Sequence, residues 1–263
     1  MSGNGTDGQA ARNAQADTTA WDLTEFEPAV TLEQFPPPRE ARAETVADIP
    51  LEDRLAAANI VGRFRGWTFE SFPRHAGADK ALKAAKEYAA TATPQPSGLL
   101  LVGATGVGKT SLAVSIARAR IEAGDGGYWR WGFAVSSIGR AARGEGRRKP
   151  GPVYFEPWAD LKARFKRETW NGTDEGELLE EIAGVSLLVL DEIALGDATP
   201  WREEILWQVL SRVEKGRRLV VTANREPADL ISVIGERCAD RLTDRQMFKI
   251  VASTGTSLRQ RSR

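Results

Sequence analysis

The 263-residue sequence predicts an α/β fold, a five-stranded parallel sheet with helices on both faces. Three observations predict it. Residues 103–110, Gly-Ala-Thr-Gly-Val-Gly-Lys-Thr, stand directly between the apolar run Leu99-Leu100-Leu101-Val102 and the helix-like stretch 111–116, which gives strand, phosphate loop and helix in succession. Short apolar runs recur at 153–155, 187–190, 219–222 and 248–251. Segments of helical period separate them, notably 200–215 with Ile205, Leu206, Val209, Leu210 and Val213 on one face. Strands alternating with helices in this way make a parallel sheet covered on both sides.

Along the chain, residues 1–20 are Gly, Asn, Ala, Thr, Gln and Asp without hydrophobic period and read as disordered. Residues 21–62 differ. Trp21, Leu23, Phe26, Val30, Leu32 and Phe35 precede the stiff Pro36-Pro37-Pro38, after which Ile49, Leu51, Leu55 and Ile60 share one side of a short helix begun near Pro50. A segment this small makes no core alone, so it is expected to dock on the body or to bind a partner. The body occupies 63–263. It opens with Trp67-Thr68-Phe69-Glu70-Ser71-Phe72 and a helix over about 78–90, and Thr93-Pro94-Gln95-Pro96-Ser97-Gly98 then leads into the phosphate-loop strand.

Net charge is zero, but residues 1–60 hold 11 acidic and 4 basic side chains, which leaves 25 and 32 in the rest. A mildly basic body suits contact with nucleic acid and an acidic head suits contact with protein, while a solvated acidic tail accounts for the head equally well. One cysteine, Cys238, and one histidine, His75, exclude a disulfide framework and a Cys/His zinc cluster. A reducing cytoplasm fits that usage. No signal peptide opens the chain and no apolar run reaches the roughly 20 residues that span a bilayer, so a soluble cytoplasmic protein is expected.

The phosphate loop carries the clearest chemistry. Its glycines let consecutive backbone N–H groups turn inward around a polyphosphate, and the helix that follows adds the positive end of its dipole. Gly103, Ala104, Thr105, Gly106, Val107, Gly108, Lys109, Thr110 and Ser111 form the expected cradle for ATP, Lys109 reaching the β and γ phosphates and the Thr110 hydroxyl holding Mg2+. The strand at 187–190 delivers Asp191 and Glu192 at its C-terminal end, the edge where such sheets bind ligands. Asp191 is placed to bind Mg2+ and Glu192 to polarise the water that attacks the γ phosphate. Asn224, at the end of 219–223, can hydrogen-bond that water or a γ-phosphate oxygen. Arg237 and Arg241, four apart, share a helix face; they form either a surface lattice with Glu236 and Asp240 or an arginine finger reaching a neighbouring subunit's site.

The order of these motifs, from Trp67-Thr68-Phe69-Glu70-Ser71-Phe72 through 103–110, 187–192, Asn224 and 235–242 to the closing Thr254-Gly255-Thr256-Ser257-Leu258-Arg259, resembles the DnaC/IstB-like AAA+ ATPases. The resemblance spans about 63–259. It implies an AAA+ core without a C-terminal helical lid, ATP hydrolysis with Mg2+, and homo-oligomers, rings or spirals, that engage DNA. It further implies loading of a DnaB-type replicative helicase in DNA replication or, in the IstB branch, help to a DNA transposase. A nucleotide-regulated DNA-binding switch with little hydrolysis is a third reading. By the likeness Arg241 is the first choice for the finger and Arg237 the second. Glu192 stands where the family often has Asp, and glutamate is the usual catalytic residue of AAA+ proteins at large.

Two stretches are candidates for DNA contact. In residues 158–170, Lys162, Lys166 and Arg167 lie along a basic helix with Phe165 and Trp170 nearby. In the loaders and initiators the matching helix faces single-stranded DNA, charge following the backbone and rings stacking on bases. Alternatively Leu161, Phe165 and Trp170 are core and the basic residues a solvated face. Residues 126–151, with Tyr128-Trp129-Arg130-Trp131 and a run of basic residues among glycines, read as either a DNA-binding hairpin or a disordered basic loop.

Overall fold

The computed structural model describes residues 45–73, 77–194, 199–255 and 257–258. All of them belong to one compact unit, which begins at Ala43. The expectations for residues 1–20 and for 21–44 lie outside the described residues.

Five strands, β1 (Gly98–Val102), β2 (Val153–Pro157), β3 (Leu187–Asp191), β4 (Arg218–Ala223) and β5 (Phe248–Ala252), form one sheet in the order β2-β3-β4-β1-β5. Every pairing is parallel. Leu100 lies opposite Val221 on one side and Ile250 on the other. The central strands β1, β3 and β4 are buried at every position, as expected of continuous apolar runs covered on both faces.

Alternation along each strand divides the core in two. Leu99, Leu101, Val189 and Val220 face α1 (Leu51–Ala57), α2 (Asp79–Ala90), α3 (Lys109–Glu122) and α4 (Gly127–Ala142). Leu100, Val102, Leu190 and Val221 face α5 (Trp158–Trp170), α6 (Glu175–Ala183), α7 (Pro200–Glu214), α8 (Ile231–Ile234) and α9 (Glu236–Thr243). Local chemistry sets the helix starts. At α7 the Thr199 hydroxyl accepts from the Arg202 N–H at 3.3 Å and Pro200 fills the first helical position; at α6 the Asp174 carboxylate accepts from the Glu177 N–H at 3.0 Å.

Residues 45–62 pack on the body. Leu55 and Ile60 are fully buried, and the buried Arg54 guanidinium donates to the carbonyls of Ile49 at 3.1 Å and Ile121 at 2.7 Å. The carbonyl of Ala58 accepts from the Phe155 N–H at 2.9 Å, and the Asn59 amide donates to the Phe155 carbonyl at 3.0 Å. The segment therefore satisfies the outer edge of β2, which would otherwise offer open pairing groups.

Residues 127–142 are helix, neither hairpin nor disordered loop. Trp131, Ala134, Val135 and Ile138 recur at helical spacing and turn toward the core, with Trp131 and Ala134 fully buried. The Trp131 indole donates to the Asp125 carbonyl at 2.7 Å. The basic residues beyond it are anchored: Arg147 pairs with Glu177 at 2.6 Å and with Glu181, Lys149 pairs with Glu181, and Arg148 donates to the Ala56 carbonyl.

Candidate functional site

Because β3, β4 and β1 are neighbours, their C-terminal ends bring the phosphate loop, Asp191–Glu192 and Asn224 to one edge of the sheet. The loop needs its glycines. Gly103 has φ +139°, and a Cβ there would lie 2.1 Å from the Ser253 carbonyl oxygen. Gly108 has φ +94° and turns the chain into α3, so that helix begins at Lys109 with its N-terminus toward the loop. The Lys109 ammonium is buried and donates to the carbonyls of Gly103 at 2.7 Å and Ala104 at 2.8 Å, within the loop that a polyphosphate would occupy.

Two hydroxyls grip the buried Asp191 carboxylate. Thr110 donates to Oδ2 at 3.0 Å and Thr222 donates to Oδ1 at 2.6 Å. Burial pushes the Asp191 carboxyl up to about 6, against the pull of both hydroxyls. The Thr222 oxygen also accepts from the Glu192 N–H at 2.9 Å, and Glu192 sits in the left-handed region at φ 56°. A non-glycine residue held there is strained, and here the hydrogen bond and the packed strand end hold it. The side-chain oxygen of Asn224 is buried and accepts no hydrogen bond from the described residues, and Asn224 is not among the residues that line the cleft over the loop. A cleft of about 150 Å3 opens over the loop, with Trp67, Leu258 and Glu192 among its walls and Lys109 at its floor. The Thr110 hydroxyl and Asp191 carboxylate are hard oxygen donors that meet at hydrogen-bond distance, a set that fits Mg2+.

Arg237 and Arg241 both project from α9 onto Trp207 of α7. The Arg241 guanidinium lies 3.5 Å from the ring centre, donates to the Ser211 hydroxyl at 2.6 Å and pairs with Glu214 at 2.6 Å. Its side chain is 12% exposed, against 53% for Arg237, which pairs with Glu204 at 3.2 Å and Glu203 at 3.4 Å. Hydrogen bonding to Glu204 and then Glu203 pushes the Arg237 guanidinium further up. Neither arginine lines the cleft of its own chain.

No protein-family model matches the chain. It is 25% identical over 193 residues to the replicative helicase loader DnaC of Buchnera aphidicola subsp. Schizaphis graminum, a match covering 72% of this chain and 68% of that protein. Over most of its length the chain is thus similar to the DnaC helicase loaders. To DnaC of Escherichia coli (strain K12) it is 31% identical over 88 residues, 32% of this chain and 35% of the relative. Its fold matches a crystal structure of the DnaC helicase loader with a TM-score of 0.55 at 21% identity, over 74% of this chain and all of that one. The replication initiator DnaA bound to AMPPCP and single-stranded DNA matches with a TM-score of 0.54 at 16% identity, over 72% of this chain and 50% of that one. The five-stranded sheet and its helices are thus the AAA+ fold of DnaC and DnaA.

Helix α5 divides the expected DNA contacts. Lys166 and Arg167 are exposed, and Lys162 is half-buried 5.8 Å from the Trp158 ring centre. Burial, and then Arg202 and Lys166, push the Lys162 ammonium down. Phe165 corrects the expectation of a stacking ring: it is 1% exposed and packs in the core with Leu161, so it has no face to offer a base. Trp170, grouped with them in the core alternative, is 89% exposed. Reading the motifs missed Thr222, whose signal was a single hydroxyl in the otherwise apolar run Leu219-Val220-Val221-Thr222-Ala223. Among the described residues no helix is long and apolar enough to cross a membrane.

Proposed function

We propose that this chain is an ATP-dependent helicase loader that assembles through its AAA+ domains, binds single-stranded DNA and delivers a DnaB-type replicative helicase. The 25% identity to a replicative helicase loader over 72% of the chain carries the proposal. Residues 103–111 wrap the phosphates, and Lys109 exchanges its two loop carbonyls for β- and γ-phosphate oxygens. Thr110 and Asp191 would hold Mg2+, which neutralises phosphate charge when bound. Glu192 takes the proton of the attacking water, and Asn224, at the end of the neighbouring strand β4, orients that water. Arg241, or Arg237 in its place, reaches from one subunit into the next and stabilises charge on the transferring phosphoryl group. Lys162, Lys166 and Arg167 contact the DNA backbone, and the segment 21–62 contacts the helicase.

The test combines partner capture with turnover. The chain is mixed with the replicative helicase of its host and resolved by size-exclusion chromatography, and ATP hydrolysis is measured with and without single-stranded DNA in wild type and Glu192→Gln. A helicase complex and hydrolysis lost in the variant are expected. The loader reading falls if no complex forms, or if the chain copurifies with a transposase instead. Background hydrolysis in both proteins overturns the ATPase arm.

A further inference from the structure

Helix α4 presents two large rings that the core does not take. Trp129 is 82% exposed and Phe133 56%, one turn apart on the same face. Tyr128 meets Trp129 edge-on at 5.8 Å, and the Arg140 guanidinium lies 5.5 Å from the Phe133 ring centre. The helix is not loose, since its other face buries Trp131 and Ala134.

Beside these rings arginines converge on the end of α6. Arg130, three residues before Phe133, donates to the Gly184 carbonyl at 3.0 Å and to the Ser186 hydroxyl at 3.1 Å. Arg217 donates to the same Gly184 carbonyl at 2.9 Å. The buried Arg212 donates to the carbonyls of Ile182 at 3.0 Å and Val185 at 2.5 Å, while its Nε is buried and donates to nothing. All these acceptors are neutral. Among the described residues no carboxylate pairs with Arg130, Arg212 or Arg217, whereas Arg120 and Arg218 share Asp125. Beyond burial, the charge of Arg217 pushes Arg130 down, and Arg217, Arg218 and Arg130 push Arg212 down. Arginine stays cationic even so, and among the described residues no ion pair offsets the charge of these three. A cleft of about 200 Å3 opens there between Arg212, Lys215 and Arg217, with Glu180 the one carboxylate on its rim.

Exposed rings on a rigid helix, flanked by cations that lack anionic partners, meet the needs of a nucleic-acid strand. Bases stack on the rings without sequence preference, and phosphates supply the missing negative charge. We propose that the α4 face of Trp129 and Phe133, with Arg130 and Arg217 beside it, is a contact surface for single-stranded nucleic acid distinct from α5. This rests on the reading that the chain binds single strands and adds a second surface to it.

The experiment measures anisotropy of a fluorescein-labelled oligothymidine across a salt series, with nucleotide binding as the check that each full-length variant is folded. Trp129→Ala with Phe133→Ala should weaken binding roughly tenfold or more for each ring, and Trp129→Phe should stay within about threefold of wild type. Arg130→Gln with Arg217→Gln should flatten the dependence of log affinity on log salt by about 0.7 for each charge. Wild-type affinity in the double aromatic variant overturns the proposal. If Lys162→Ala with Lys166→Ala and Arg167→Ala loses binding in the same series, the DNA arm of the loader reading survives that failure; if wild type does not bind the oligothymidine, both fall. Loss of a helicase complex with DNA affinity unchanged assigns the rings to a protein partner and likewise overturns the proposal.

Discussion

Replacing Thr222 by valine removes one oxygen from the middle of the site while the shape of β4 is kept. The residue is fully buried, donates to Asp191 at 2.6 Å and accepts from the Glu192 N–H at 2.9 Å. Losing a hydrogen bond to a buried carboxylate costs about 1.5–3 kcal/mol, and an unsatisfied buried N–H costs about 1–3 kcal/mol. The methyl gained offsets up to about 0.8 kcal/mol of that. A net loss of about 2–5 kcal/mol follows, or a Tm lower by about 4–20 °C for a domain of this size. Glu192, released from the bond that fixes its backbone at φ 56°, relaxes away from the water whose proton it takes on the loader reading. Turnover of ATP should fall about tenfold or more, because misplacement of a reacting group by about 1 Å costs up to a hundredfold. Affinity for ATP should change by less than about threefold, since the phosphate loop is untouched. Urea unfolding and steady-state hydrolysis read the two effects. Thr222→Ser, which keeps the oxygen and loses a methyl worth about 1 kcal/mol, should retain turnover. A valine variant within about 0.5 kcal/mol of wild type and with full turnover would refute the view that this hydroxyl organises the acidic pair.

Other outcomes follow from the same geometry. Lys109→Ala should weaken ATP binding roughly a hundredfold in titration calorimetry, since it takes the cation from the floor of the cleft. Arg241→Ala should bind ATP normally and lose roughly a thousandfold in hydrolysis. Mixing it with Glu192→Gln should restore part of the activity, because some junctions then pair an intact glutamate with a neighbour's intact arginine. Cys238 is fully buried and its thiol is pushed up to about 12, chiefly by burial, so it stays protonated at pH 8. Iodoacetamide should leave the folded chain unmodified and alkylate it only after unfolding, as read by mass spectrometry.

What was legible in the sequence was what the chain encodes locally. Leu99–Val102, Leu187–Leu190 and Leu219–Thr222 read as strands because a parallel strand covered on both faces is a continuous apolar run, and those runs are buried throughout. The phosphate loop was legible because its glycines are required one by one, Gly103 by the Ser253 carbonyl and Gly108 by the turn into α3. Helix α4 was not, because Gly126, Gly127, Gly132 and Gly139 read as loop while the docking of Trp131 and Ala134 pays for them. Phe165 was ambiguous for the opposite reason: beside lysines an aromatic ring fits a stacking platform or an amphipathic core face equally, and only the third dimension distinguishes them. Thr222 acts on residues about 30 positions away through a sheet pairing, which no local pattern records.

Charge at the cleft gives the physical ground for a site shared between subunits. A triphosphate is a polyanion, and Asp191 and Glu192 add two carboxylates beside the phosphate loop. Among the described residues lining the cleft Lys109 is the one cationic side chain, supplemented by loop N–H groups and the N-terminus of α3. Negative charge redistributes toward the leaving group during hydrolysis, and on the loader reading a metal ion and an arginine of the neighbouring subunit would supply further positive charge there. Arg241, the proposed finger, has a fixed direction on α9: its guanidinium rests on the Trp207 face and is held by Ser211 and Glu214. An arginine so fixed loses less side-chain entropy on meeting a phosphate than a freely rotating one, although it must exchange Glu214 for that phosphate. The ion pair itself is weak, because the Glu214 side chain is 49% exposed, so the Trp207 face and the Ser211 hydroxyl make up most of what the guanidinium has to leave.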